Sequence, residues 1–183
     1  MDYSKQIEVE VRAIFNEEKY KQLKIFLDKN AKDLGQDDKD VYFYLLPNKV
    51  VKVVHNISKN SAKIVMKLNR IGKAGNEAEE IEISINPKDL SKGIKLFSEL
   101  QFDEIQNASQ KRRNYLYKDI ELALKYSSSW GYHLELEIMI DDVSKQKSAE
   151  EKLMKLGEEL GVHILTTSEQ KELVSKIDQN YKK

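Results

Sequence analysis

The chain has 183 residues, 40% of them hydrophobic, which suits one compact domain with a core of its own. Its 31 Lys and Arg balance 31 Asp and Glu, so no overall charge draws it to nucleic acid or an anionic membrane, and the absence of cysteine excludes disulfides, thiolate zinc sites and thiol nucleophiles. Apolar runs are short and Met1-Asp2-Tyr3-Ser4-Lys5 lacks the apolar stretch of a signal peptide, so a cytoplasmic protein with no membrane partner is expected.

Alternating apolar and polar residues predict a first strand over Ile7 to Ile14. Tyr20, Leu23, Leu27 and Ala31 recur at helical spacing, predicting a helix over Glu17 to Leu34 ended by Gly35. Four strands follow, over Val41 to Leu46, Val50 to His55, Ala62 to Leu68 and Glu80 to Ile85. Asn86 and Pro87 read as the N-cap and first turn of a helix with Leu90, Ile94, Phe97 and Leu100 inward. Three more strands, over Gln110 to Tyr117, Ile120 to Lys125 and Tyr132 to Ile140, precede a helix capped by Ser148 and a last one capped by Ser168. No Pro/Gly/Ser linker or repeat divides the chain, so residues 1–183 are read as one domain, with helices from about 148 to 183 packed on it or extending from it. The class is α+β, with directly joined antiparallel strands and helices outside.

Successive strand side chains point to opposite faces. Glu8, Glu10 and Arg12 therefore oppose Ile7, Val9 and Val11, and Lys63 and Lys67 oppose Ile64 and Met66. Glu80 and Glu82 oppose Ile81 and Ile83, while His133, Glu135 and Glu137 oppose Leu134, Leu136 and Ile138. An open sheet with one wet face would satisfy this parity. Two details favour a closed interior. Acidic pairs recur at i and i+2 (Glu8/Glu10, Glu80/Glu82, Glu135/Glu137), and such crowding repels unless cations intervene. Arg12, Lys52, Lys63, Lys67 and Arg112 fall on the same faces, and cations beside carboxylates are what a metal-bound polyphosphate needs.

The run Ile-Glu-Val-Glu-Val-Arg at 7–12 resembles the Glu-x-Glu-x-Lys/Arg opening of the CYTH superfamily, the triphosphate tunnel metalloenzymes. That family contains class IV adenylyl cyclases and thiamine, RNA and inorganic triphosphatases. Asp38-Lys39-Asp40-Val41-Tyr42-Phe43, Met66-Lys67, Glu80-Ile81-Glu82, Arg112 with Tyr115, and Gly131-Tyr132-His133-Leu134-Glu135-Leu136-Glu137 resemble its later strands, in order. The resemblance covers nearly the whole chain. It implies a closed eight-stranded antiparallel β-barrel, a tunnel, with helices on the outside. It further implies a hydrolase acting on a triphosphate-bearing nucleotide, thiamine triphosphate or inorganic triphosphate. A class IV-type adenylyl cyclase making cyclic AMP and pyrophosphate is the first alternative, and a weakened module that only binds a phosphorylated ligand the second. By resemblance Glu8, Glu10, Glu135 and Glu137 would hold Mg²⁺ or Mn²⁺. Arg12, Lys52, Lys63, Lys67, Glu80, Glu82 and Arg112 would line the substrate site, with Glu8, Glu10 and Arg112 in catalytic roles. A homodimer is left open.

Three positions depart from the family pattern. Gln110 stands where a basic residue is usual, although a bulge could turn Lys111 or Arg113 inward. Lys125 stands where an acidic metal ligand is usual, with Glu121 on the same face as a partial substitute. Val54 stands where a second basic residue is usual. Other features read as structural. His55, His133 and His163 lack metal-ligand spacing, and only His133 shares the carboxylate face. Trp130 reads as a core anchor, with base stacking as the alternative, and Tyr42 has the presumed inward parity. Lys111-Arg112-Arg113 is too short a basic run to imply nucleic acid, and the loop Arg70 to Asn76 lacks P-loop spacing.

Overall fold

In the computed structural model, which describes residues 7–68, 77–78, 80–102 and 104–181, every paired strand is antiparallel to its neighbours. The strands are β1 (Ile7–Phe15), β2 (Lys32–Gln36), β3 (Lys39–Leu45), β4 (Val50–Asn56), β5 (Ser61–Lys67), β6 (Glu77–Ala78), β7 (Glu80–Ile85), β8 (Glu104–Tyr117), β9 (Ile120–Ser127) and β10 (Gly131–Ile140). The α-helices are α1 (Glu17–Asn30), α2 (Leu90–Ser98), α3 (Gln146–Glu159) and α4 (Thr167–Tyr181).

The sheet runs β6-β1-β10-β9-β8-β3-β4-β5-β7, with β2 added on β8. One residue separates β6 from β7. Segment 77–85 thus pairs with β1 through Glu77 and Ala78 and with β5 through Glu80 to Ile85, and so returns the last strand of the sheet to the first. Counting that segment once and leaving β2 aside, eight strands curl into the expected tunnel, with α1, α2 and α3 outside.

The outward side chains make two cores. Val9, Val11, Leu122, Leu124, Leu134 and Leu136 pack under Leu23 and Leu27 of α1, Leu153 and Leu156 of α3, and Leu160 just past the end of α3. Tyr44, Val51 and Val53 pack under Leu90, Ile94 and Phe97 of α2. Each fully buried aliphatic side chain contributes about 1.5–3 kcal/mol. The outer face of β7 is less covered than its alternation suggested, with Ile81 51% and Ile83 59% exposed.

Several boundaries differ from expectation. α1 stops at Asn30, and Ala31 turns extended at φ −112° and ψ 157°. The segment expected to end that helix becomes β2, because β8 extends beyond β3 and offers Arg113 to Leu116 as a free ladder edge. Gly35, at φ +95°, sits at the β2 bulge, where a left-handed conformation suits glycine, and not at a helix end. β8 begins at Glu104, earlier than the expected Gln110. Asn86 caps Lys88 N, but of a short 3₁₀ turn that leads into α2, and Leu100 lies past that helix and is exposed. Asp142, not Ser148, accepts from Ser144 N at the start of the α3 region. Thr166, not Ser168, caps α4. Its Oγ1 accepts from Glu169 N at 3.2 Å, and Glu169 Oε2 accepts from Thr166 N at 2.7 Å, a reciprocal capping box. The loop Arg70 to Asn76 lies outside the described residues, as do Met1 to Gln6, Lys182 and Lys183.

Candidate functional site

The inward faces enclose a cavity of about 340 Å³. Register decides who faces whom. On the β1–β10 ladder Glu10 is opposite Glu137 and Arg12 opposite Glu135, and on the β10–β9 ladder Glu137 is opposite Glu121. From β5 and β7, Lys67 and Glu80 are opposite each other. Glu8, Glu10, Glu80, Glu82, Glu135 and Glu137 thus share one cavity with Arg12, Lys52, Lys63, Lys67 and Arg112, and every residue expected in the site is in its wall.

Most of these charges are already paired. Arg12 Nη2 lies 2.5 Å from Glu10 Oε1, and its Nε donates to Glu135 Oε1 at 3.1 Å. Lys67 pairs with Glu80 and stands 3.6 Å from Glu8, and Lys63 pairs with Glu82. Lys125 Nζ donates to Glu135 Oε2 at 2.8 Å, with Arg112 Nη1 3.7 Å from the same oxygen. Burial would raise the Glu135 pKa, but Lys125, Arg12 and Arg112 outweigh it and hold the carboxyl well below the usual range. Glu10 behaves oppositely: burial, reinforced by Glu135, pushes it up to about 8, against the pull of Arg12. Burial and then Glu10 push Glu137 up to about 7. Lys52, by burial and by the nearby Lys67 charge, falls to about 7. Among the described residues it makes no ion pair.

Sequence reasoning missed the role of several residues in the wall or bonded to it. Asp37, 3% exposed, lies in the loop between β2 and β3. It accepts from Lys39 at 2.7 Å, Lys59 at 3.0 Å and Asn56 at 2.5 Å, and stands 3.5 Å from Arg112 Nε. Lys39 itself faces the cavity, as do Val174, Ile177 and Asp178 of α4, and Gln106 Nε2 donates to Asp178 Oδ1 at 3.0 Å. Parity could have placed Lys39 inward; nothing local could have found the loop aspartate or the distant helix.

Gln110 and Val54 face the cavity. The bulge lies on β2, so β8 runs regularly: Arg113 pairs outside with Asp33, and Lys111 stays exposed. Tyr42 faces outward into the α2 core, correcting its presumed inward parity; Val41 and Phe43 take the inner face. Glu121 is exposed. His133 is buried, with Nδ1 2.9 Å from the Gly131 carbonyl, and burial followed by Lys125 lowers it to about 4. His163 is on the surface beside Glu169. Trp130 is in the cavity wall, under the Arg12 guanidinium at 5.7 Å.

Residues 6–170 match the model of the CYTH domain. The chain belongs to the CYTH family. No curated protein sequence matches it significantly. Among solved structures, this CYTH chain is similar to the PH1819 protein of Pyrococcus horikoshii OT3, at 21% identity and a TM-score of 0.71, over 92% of this chain and 99% of that one. It is also similar to a candidate adenylyl cyclase from Hippeastrum described as having a dominant triphosphatase activity, at 15% identity and a TM-score of 0.57, over 87% and 89%. The Mimivirus capping enzyme triphosphatase shares 13% identity and a TM-score of 0.51, over 86% and 90%. At these identities the likeness establishes a common fold. No helix among the described residues is long and apolar enough to cross a membrane.

Do the carboxylates of this CYTH tunnel suit a divalent ion? Among the described residues no three carboxylate or imidazole groups already surround one point. Glu10 and Glu137 nevertheless face each other, and Glu10 Oε1 is buried without accepting a hydrogen bond. An oxygen-only donor pair, of which Glu10 meets only Arg12 and Glu137 makes no ion pair among the described residues, fits a hard ion such as Mg²⁺ or Mn²⁺.

Proposed function

We propose that this CYTH protein is a divalent-metal-dependent phosphohydrolase acting on a triphosphate-bearing small molecule held in the tunnel. The observation that carries the reading is the facing arrangement of Glu10 and Glu137 in the same cavity as Lys52, a half-buried lysine with no ion-pair partner among the described residues. Glu10 and Glu137, with Glu8 beside them, would hold Mg²⁺ or Mn²⁺. The ion would supply charge neutralisation on the phosphoryl oxygens and would polarise the phosphorus for attack.

The remaining work belongs to the chain. Lys52 and Arg112 bind phosphoryl oxygens, with Arg12, Lys63 and Lys67 exchanging their carboxylate partners for the ligand. Glu80 and Glu82 hold Lys67 and Lys63 toward the centre of the tunnel until then. Asp37 orients Lys39 and Arg112. Rigid strands fix all these groups, so catalysis comes from positioning and electrostatics, with no covalent intermediate.

Trp130 favours a second reading. Its place in the cavity wall gives an aromatic face that a nucleobase could use, so ATP cyclisation, with the ribose hydroxyl as nucleophile in place of water, is the runner-up. A third reading, ligand binding without turnover, draws on the extensive pairing of the tunnel charges.

One experiment separates the three: purified protein with inorganic triphosphate, ATP or thiamine triphosphate, each with Mg²⁺ or Mn²⁺, followed for phosphate, pyrophosphate and cyclic nucleotide. Phosphate release is the expected result. Cyclic AMP with pyrophosphate would establish the cyclase. No turnover with thermal stabilisation by triphosphate would leave binding only, and no response of either kind would overturn the ligand reading.

A further inference from the structure

Glu135 differs from the other carboxylates of the tunnel. Both its oxygens are taken by protein cations: Oε1 by Arg12 Nε at 3.1 Å, and Oε2 by Lys125 Nζ at 2.8 Å with Arg112 Nη1 at 3.7 Å. Lys125 is 5% exposed, so its ammonium is a built-in feature of the interior and not a passing surface contact. Register explains its reach. Lys125 is opposite His133 and Glu135 is opposite Ala123, so the methyl group of Ala123 leaves room for the lysine to extend two pairs along the ladder, to the next pair on the same face.

The neighbouring row is the reverse. Glu10 is opposite Glu137 and Glu137 opposite Glu121, so three carboxylates are adjacent across β1, β10 and β9. Glu10, 7% exposed, has its Oε1 2.5 Å from Arg12 Nη2 but accepts no hydrogen bond there, and Glu137 makes no ion pair among the described residues. A divalent ion approaching Glu135 would have to displace an ammonium and lie among three positive charges. One approaching Glu10 and Glu137 would meet two carboxylates with a single cation, Arg12, beside them.

We infer that Lys125 is a tethered cation standing where an ion at Glu135 would bind, so that the tunnel takes one divalent ion, at the Glu10–Glu137 end, and not two. The inference rests on the metal-dependent reading above and adds stoichiometry and polarity to it. The Glu10–Glu137 end is the metal end; the Glu135 end meets phosphoryl oxygens directly through Lys125, Arg12 and Arg112.

The test is Mn²⁺ alone, titrated into EDTA-stripped full-length protein and counted by electron paramagnetic resonance, with circular dichroism as the check on folding. The wild type should bind one Mn²⁺ per chain, Glu137→Gln should lose it, and Lys125→Glu should bind two and gain more thermal stabilisation from Mn²⁺ than the wild type. Lys125→Met should still bind one while its affinity for inorganic triphosphate falls about tenfold, the loss of one charge-assisted contact. Two ions per wild-type chain, or a folded Lys125→Glu that stays at one, overturns the inference and leaves the metal-dependent hydrolase standing. No Mn²⁺ on any variant overturns the metal reading and this inference with it. Should Lys125→Glu fail to fold, the wild-type and Lys125→Met counts decide.

Discussion

Glu10 and Glu137 stand directly opposite each other on the β1–β10 ladder, inside the tunnel, with pKa values raised to about 8 and about 7, first by burial. Arg12 answers only Glu10, so the pair is poorly satisfied without a further cation. Glu10→Gln and Glu137→Gln should each cut metal-dependent phosphate release by about 100-fold or more, at least the loss typical of residues that only support metal ligands. Steady-state phosphate release in Mg²⁺ and in Mn²⁺ checks this, and full activity in either variant would remove that residue from the proposed metal set.

The same pair makes the metal-free protein sensitive to pH. Glu10 has a folded pKa of about 8, above its ordinary 4.5, so the folded state holds the proton more tightly and its ionisation costs stability between those values. Below about 4.5 there is no cost; above about 8 it is complete. Thermal unfolding in EDTA should therefore show Glu10→Gln gaining on the wild type between pH 5 and pH 8, and Mn²⁺ at pH 8 should restore the wild type but not the variant. A constant difference across that range would refute the raised pKa.

Lys52 titrates in the opposite sense. Its folded pKa of about 7 lies below the ordinary 10.5, so its charged form is the strained one, and that cost disappears as pH rises through 7 and beyond. Triphosphate needs the charged form. Affinity for a non-hydrolysable triphosphate, measured calorimetrically, should fall between pH 6 and pH 8.5 in the wild type, and Lys52→Arg should flatten that decline because guanidinium stays protonated. Lys52→Met should raise the melting temperature by roughly 2–4 °C at pH 6 while weakening binding.

Asp37 carries a different risk, because Lys39, Lys59, Asn56 and Arg112 all gather on one buried carboxylate. Asp37→Asn should cost about 3–5 kcal/mol, the usual penalty for breaking a buried ion pair from one side, read by urea unfolding at pH 7. Although burial opposes it, these partners depress the Asp37 pKa, so its contribution is present above the ordinary 3.8 and is lost as pH falls below that value. The gap between variant and wild type should therefore narrow under acid.

Gly157 in α3 is a packing prediction. A Cβ there would meet Ile164 Cγ1 at 2.6 Å and Cδ1 at 2.7 Å. Overpacking costs about 1–3 kcal/mol, against about 1 kcal/mol of helix propensity recovered on replacing glycine. Gly157→Ala should thus be neutral to mildly destabilising, whereas Gly157→Val should clearly lower the melting temperature, and Ile164→Val should partly rescue it.

The first strand was legible because Glu8, Glu10 and Arg12 alternate with Val9 and Val11, and alternation survives folding unchanged when one face packs on helices. Tyr42 was misread because aromatic residues occur on both faces of β3, and only the α2 core showed which face was outside. β2 was illegible for another reason. Lys32 to Gln36 has no strand pattern of its own and pairs because β8 leaves an unsatisfied edge beyond β3.

The sequence by itself determined which residues share a face, since the two-residue repeat of a strand depends only on local backbone geometry, and with it the acidic pairs and the cations beside them. Only the tertiary structure decided how those faces meet. Ladder register set Glu10 against Glu137, curling of the sheet turned a charged face into a cavity, and a lysine on β9 reached a glutamate on β10 that would otherwise have looked like a metal ligand. Those relationships join residues up to 127 positions apart in the chain, as from Glu10 to Glu137. Non-local pairing of that kind depends on the folded ensemble of all the strands and leaves no periodic trace in any one of them.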